Sequence, residues 1–253
     1  MVIILKRTYN ILFIFGFIIL WANLTGCTPD TGESNYIERT VEVNDFSELI
    51  IYTGVKVNIR QSEQHRVVIR ASEERINEIS VDVDGETLHI KGEKTGLFSN
   101  TYTPVNVTVY TPHLTEVRHS GNHLVYSDDT LSFPSLTLIS ENYNSDYDNV
   151  GDFDLTIDNE NLKIISNGIS TFEIQGYTAQ LEVSYYSGTG QFKGENLIAE
   201  TVHVFHRGEN SIKVYPVESL TGDLYSIGNL EAYHHPPLVD VEIHYTGQLI
   251  FID

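Results

Sequence analysis

From Tyr36 onward, apolar residues recur at every second position in short runs: Val41/Val43, Leu49/Ile51, Val55/Val57/Ile59, Val67/Ile69 and Val105/Val107/Val109. Such alternation turns one face of each run to a core and the other to water, which is the pattern of β-strands. Val81-Asp82-Val83 and Leu88-His89-Ile90 flank Asp84-Gly85, predicting a hairpin whose type I′ turn takes its positive φ values from the Asp-Gly pair. Ser72 to Asn77 offers one helical turn at most, and Lys94 to Pro104 reads as a loop. No stretch carries the roughly 10–12 residues of 3.6 periodicity that a helix needs, so the fold class is all-β.

The later half adds a longer period. Gly168, Gly188, Gly208 and Gly228 stand 20 residues apart, and Gly247 follows after 19. Three residues before the first four come Ile165, Tyr185, Phe205 and Tyr225, with Tyr245 a further 20 on; Phe172, Phe192 and Ile212 each lie four past a glycine. A fixed period in this range marks a solenoid in which equal positions of successive repeats touch. A parallel β-helix of about 20-residue coils is therefore expected, with room for about seven coils from Val105 to Asp253 at a spacing of about 4.8 Å. Leu181, Val183 and Tyr185 alternate on one phase and Val202 and Val204 on the other, so the spacing leaves open whether the aromatic column faces core or solvent. The interval from Leu136 to Leu162 is 26 residues, which predicts an insertion of six in that coil.

The N-terminus reads as an address. Lys6 and Arg7 precede an apolar run from Ile11 to Trp21, too short to span a bilayer and right for a signal peptide. Leu24-Thr25-Gly26-Cys27 resembles the lipobox of bacterial lipoproteins, which implies cleavage after residue 26 and lipidation of Cys27, the only cysteine in the chain. Residues 27–35 then form a polar tether, and 36–253 the folded domain. The expected location is the cell envelope, lipid-anchored to the outer membrane on its periplasmic or surface side. Without residues 1–26 the chain carries 13 Lys plus Arg against 35 Asp plus Glu, a net charge of −22. Nucleic acid is thereby excluded as a partner, since its phosphates would be repelled.

The segments Phe46-Ser47-Glu48-Leu49, Gly54-Val55-Lys56-Val57-Asn58-Ile59 and Leu88-His89-Ile90 follow one another in a familiar order. Val107-Thr108-Val109-Tyr110-Thr111-Pro112-His113-Leu114 and His119-Ser120-Gly121-Asn122 complete it. Together they resemble the auto-transporter adhesin head GIN domain family of bacterial envelope proteins, from Tyr36 to the end. The resemblance implies a right-handed parallel β-helix, frequent lipidation, and no established catalytic residues. It weakens at the later turns, Ser166-Asn167-Gly168, His206-Arg207-Gly208 and Ser226-Ile227-Gly228.

Candidate chemistry is sparse. Asp146, Asp148, Asp152 and Asp154 surround Gly151 in the long coil, an arrangement of oxygen ligands that Ca²⁺ could use, although the EF-hand spacing fails and a solvated acidic loop is the simpler reading. No other cofactor is implied. His203, His206, His234, His235 and His244 read as surface histidines, with His203 and His244 too far apart to share a metal. Ser187-Gly188-Thr189-Gly190 lacks the lysine and helix of a phosphate loop and is a corner. Tyr185, Phe205, Tyr225 and Tyr245 are the candidate binding residues. The expectation is a non-catalytic binding or display module for a glycan or protein ligand. A carbohydrate-active β-helix enzyme and a structural protein associating through the edge Leu249–Asp253 are the alternatives.

Overall fold

The computed structural model describes residues 36–92, 105–144 and 146–252. The signal segment, Cys27, the tether and the loop expected at Lys94–Pro104 lie outside the described residues. Tyr36–Asp253 forms one compact unit. The described residues are all-β, with a single 3₁₀ turn at Ile76–Glu78, and the strands join one nearly closed hydrogen-bonded sheet.

The first third departs from an all-parallel stack. Strand β1 (Tyr36–Glu42) runs antiparallel to β4 (Arg66–Ser72), and β4 runs antiparallel to β7 (Val105–Thr111). The hairpin read from the sequence is present as antiparallel β5 (Ile79–Asp84) and β6 (Thr87–Gly92). Its turn differs by one residue from expectation. Asp84 pairs with Thr87, so Gly85 and Glu86 are the central residues, and Gly85 alone takes a positive φ, 63°. Glycine first in a two-residue loop is the II′ arrangement, in place of I′. Strands β2 (Glu48–Tyr52) and β3 (Val55–Gln61) are parallel to their neighbours: β2 to β6 and β8 (Glu116–Ser120), β3 to β7 and β9 (Val125–Tyr126).

Beyond β8 and β9 every pairing between named strands is parallel and joins successive repeats. β10 (Ser135–Ser140), β11 (Phe153–Ser166), β12 (Thr171–Tyr185), β13 (Gln191–His206) and β14 (Ile212–Leu224) pair in sequence order. β14 then pairs with both β15 (Leu230–Ala232) and β16 (Leu238–Ile243), and β15 with β17 (Leu249–Phe251). Leu136 opposes Leu162, so the 26-residue interval is a real insertion, accommodated between β10 and β11.

Parallel register turns sequence columns into spatial files. Val57, Val125, Phe153, Phe172, Phe192, Ile212, Leu230 and Leu249 oppose one another in turn and form one inward file. Within it, the rings of Phe153 and Phe172 stack with centroids 4.7 Å apart. The repeating glycines are a file too, at the corners. Gly188 takes φ 89°, and a Cβ there would lie 2.2 Å from the Gly168 carbonyl oxygen. Only a residue without a side chain lets successive corners approach this closely.

A second inward file runs Ile51, His119, Ser140, Ser166, Tyr185, His206 and Leu224, and ends at the exposed Ile243, which is registered with Leu224. Its sequence steps over the last four members are 21, 18 and 19 residues. The unequal steps arise from register shifts, one between Glu173 and Gln175 and others between Lys193 and Ile198 and between Ala199 and Thr201. The glycines keep their spacing while the strands between them slip, and each single-residue slip exchanges inside for outside. Tyr185, opposite the buried Ser166 in the unbroken β11–β12 register, points inward and is fully buried, with its hydroxyl unpartnered and its pKa driven well above the usual tyrosine value by desolvation.

Candidate functional site

At the ends of these strands, and in the loop after β10, lies a row of outward rings. Tyr143, Tyr186, Phe205, Tyr225 and His244 follow one another along the stacking direction. Centroid separations are 6.2, 5.4, 5.4 and 4.1 Å, the last pair lying parallel to within 4°. Tyr143 is 72% exposed and Tyr225 44%. Parallel neighbours sit about 4.8 Å apart, so even Phe205, which is registered with Ser184 and Asp223, reaches Tyr186 and Tyr225 diagonally. The result is a continuous aromatic ladder on the protein surface.

The candidate binding residues thus divide. Phe205 and Tyr225 belong to the ladder, Tyr185 lies behind it in the core, and Tyr245, although 64% exposed, makes no ring contact among the described residues. Tyr186 and His244 take the places that the glycine-based frame had given to Tyr185 and Tyr245, and Tyr143 extends the row beyond Tyr186. Counting back three from Gly188 gives Tyr185 and misses Tyr186, whereas His244 does stand three before Gly247 and is missed only by stepping 20 residues on from Tyr225.

Beside the ladder lies a shallow groove of about 510 Å³. Its floor is two outward files. One runs Ser135, Asn161, Gln180, Thr201 and Ser219, the other Thr137, Lys163, Glu182, His203 and Thr221. The single carboxylate among these, Glu182, is held 2.8 Å from Lys163 Nζ, and His203 Nδ1 lies 3.1 Å from Thr221 Oγ1. The floor thus offers amides, hydroxyls and one compensated ion pair. The ladder does not line the groove itself, but Phe205 lies two residues beyond His203 on β13. A row of rings and a polar, nearly uncharged floor thus follow one another along the same strands and can hold a ligand with apolar faces and many hydroxyls.

Behind the ladder sits His206. Its Nδ1 accepts from the Gly208 N–H at 3.2 Å, which puts the ring proton on Nε2, and Nε2 donates to the Asn210 carbonyl at 2.9 Å. His119 repeats the motif in the earlier part of the chain, accepting from the Gly121 N–H and donating to the His123 carbonyl. Both rings are fully buried, and desolvation lowers each pKa to about 4. The surface assignment of His206 is corrected accordingly. A signal for it was present: His119-x-Gly121-x-His123 and His206-x-Gly208-x-Asn210 share their spacing.

The remaining histidines separate. His234 stacks on Tyr215 at 5.4 Å and His235 on Phe251 at 4.2 Å. His244 Nε2 lies 2.7 Å from Asp223 Oδ1 and 3.7 Å from Glu242 Oε2. Among the described residues these are the one group of three metal-ligand side chains whose donor atoms fall within 4.8 Å of one another. Asp146, Asp148, Asp152 and Asp154 do not converge. Asp146 sits in a turn that its own N–H closes on Asn144, Asp148 donates its N–H to Ser120 Oγ, and Asp152 accepts from the Thr171 N–H. Asp154 stands on β11 opposite Tyr126 and Glu173.

Comparison with known proteins fits this architecture. A crystal structure of a "putative adhesin" from Bacteroides fragilis has a TM-score of 0.76 at 20% identity, covering 86% of this chain and 97% of that one. A "putative lipid binding protein" from Parabacteroides distasonis gives 0.61 at 16%, over 88% and 98% of the two chains. A "putative adhesin" from Parabacteroides merdae gives 0.57 at 17%, over 88% and 98%. At these identities the likeness is one of fold. No curated protein matches the chain. The model of the family described as "Putative auto-transporter adhesin, head GIN domain" matches residues 45–236, and the chain belongs to that family.

Proposed function

We propose that this protein is a non-catalytic, lipid-anchored envelope adhesin that binds a neutral glycan across the aromatic ladder and the adjoining groove. The observation that carries the reading is the unbroken row Tyr143, Tyr186, Phe205, Tyr225 and His244. Sugar rings present apolar C–H faces that stack on aromatic side chains, while their hydroxyls exchange hydrogen bonds with groups such as Asn161, Gln180 and Thr201. Family membership and the names of the structural neighbours agree with a binding role. The architecture belongs to the proposal as well. Successive parallel pairings with connections of about 20 residues fit a right-handed parallel β-helix, because parallel crossovers are right-handed in nearly all known cases.

The test uses the full chain in detergent, titrated with cellohexaose, mannohexaose and chitohexaose and followed by calorimetry. At least one should bind, and Tyr186→Ala and Tyr225→Ala should each weaken it by about 1 kcal/mol, or roughly five- to tenfold. Failure of all three sugars to bind, or wild-type affinity in both variants, would sink the glycan reading. The anchor is tested separately: the wild-type chain expressed in bacteria should incorporate labelled fatty acid and partition with membranes, and Cys27→Ala should do neither. A Cys27→Ala chain that still carries label rules the lipidation out.

A further inference from the structure

A second hollow lies among the N-terminal strands, far along the sequence from the ladder and independent of the function proposed for it. It opens on the outward face of β1, β4, β7, β3 and β9 and encloses about 640 Å³. In a protein with 35 acidic and 15 basic residues, this wall gathers Arg60, Arg66 and Arg70. Arg60 is already committed: its Nη2 donates to Asp128 Oδ2 at 2.7 Å, which holds the Asp128 carboxyl below the usual carboxylate range. Arg66 and Arg70 have no carboxylate within ion-pair distance among the described residues, although Glu38 also lines the hollow.

The two uncommitted cations are held in place by rings. Arg66 lies over Tyr110, its Cζ 4.3 Å from the centroid, and Arg70 over Tyr36 at 5.6 Å. Stacking fixes a guanidinium plane without neutralising it, which leaves its N–H edge for an incoming anion. The Nε of Arg66 is in fact buried without a partner. Level with the gap between the arginines, but two strands away through Val68 and Thr108, stands Asn58, 5% exposed, whose Nδ2 donates to Asp128 at 2.7 Å while its Oδ1 has no partner. Such unmet groups are destabilising unless something satisfies them. The hollow therefore presents two free cationic forks beside an acceptor that requires a hydroxyl or amide donor.

We propose that this hollow is a binding site for an acidic saccharide, a sugar carboxylate seated on Arg66 and Arg70 with a neighbouring hydroxyl donating to Asn58 Oδ1. Inorganic phosphate holds its charge and its hydroxyl on a single phosphorus and does not span both positions, and a neutral sugar meets only the second need. Tyr110 and Tyr126 border the space, each with a cation already over its ring, Arg66 on the first and Lys56 on the second at 4.5 Å, which adds to the positive charge of the wall.

The experiment titrates the full chain in detergent with trigalacturonate, with its methyl ester, and with inorganic phosphate. Trigalacturonate should bind, and the ester and phosphate should each bind at least about tenfold more weakly, since a charge-assisted bidentate contact supplies more than one decade of affinity. Arg66→Gln and Arg70→Gln, each checked for an unchanged circular dichroism spectrum and melting temperature, should lose about tenfold for trigalacturonate. Tyr225→Ala should bind it like the wild type. Equal affinity for acid and ester, phosphate binding as tightly as trigalacturonate, wild-type affinity in both arginine variants, or loss in Tyr225→Ala would each overturn the assignment.

Discussion

Acidification from pH 7 to pH 4 should remove about 6 kcal/mol of unfolding free energy through His119 and His206 alone, about 3 kcal/mol from each. Burial lowers both from the ordinary 6.5 to about 4. An unfolded chain binds a proton at each imidazole below pH 6.5, whereas the folded chain resists until about pH 4. The stability these residues contribute is therefore complete above 6.5, falls as the pH drops, and stops falling below about 4. Protonation of the folded state would also place a second N–H against the Gly208 and Gly121 amides, where Nδ1 must accept. Carboxylates titrate in the same window, so the informative quantity is a difference. Urea unfolding of the wild type and of His206→Gln at pH 7, 5.5 and 4 should give a variant whose pH dependence is shallower by about 3 kcal/mol. Parallel curves for the two proteins would mean that His206 is not held neutral by burial.

Phe172→Ala should cost about 3–5 kcal/mol, the range for deleting a buried ring. Phe172 is fully buried, stacks on Phe153 at 4.7 Å and meets Tyr185 edge-on at 6.3 Å. Parallel pairing also places it directly against Phe192. The cavity would thus open between three repeats, and a stack relies on contacts between neighbours because no repeat encloses a core alone. Phe205→Ala makes the matched control. It deletes the same side chain from the outward ladder and should cost about 1 kcal/mol, the scale of lost ring contacts. Denaturant midpoints compare the two directly. Equal losses would mean that the inward and outward files have been exchanged.

That comparison bears on what the sequence could and could not disclose. The column Phe172, Phe192 and Ile212 was readable because its steps are an even 20 residues, and the structure stacks it without slippage. The glycine corners were readable for the same reason. The aromatic column set three residues before the glycines was not, since Tyr185, His206 and Leu224 share a file although they stand three, two and four residues before Gly188, Gly208 and Gly228. Alternation in a strand has period two, so an uneven step of one residue is enough to misplace a ring by the full thickness of the sheet. The antiparallel pairing of β1 and β4 was invisible for another reason. Alternating strands read alike in either direction, and only a tight connection such as Gly85-Glu86 betrays which way the next one runs. The arginine hollow was hidden because its members come from separate strands with no spacing in common.

The irregular register within β13 has a further meaning for how such a protein can change. Near Gly194 and Glu195 the chain holds one more residue than the strand below it, and the excess is absorbed before the ring-bearing segment begins. Length is thus negotiable at this margin. Residues gained or lost there by a gene would leave Phe205 and its companions where they stand, so the margin is a natural point for lineage variation and for grafting foreign peptides. A single deletion between Thr201 and His206 would instead turn the whole segment over, presenting core residues to water and burying the rings.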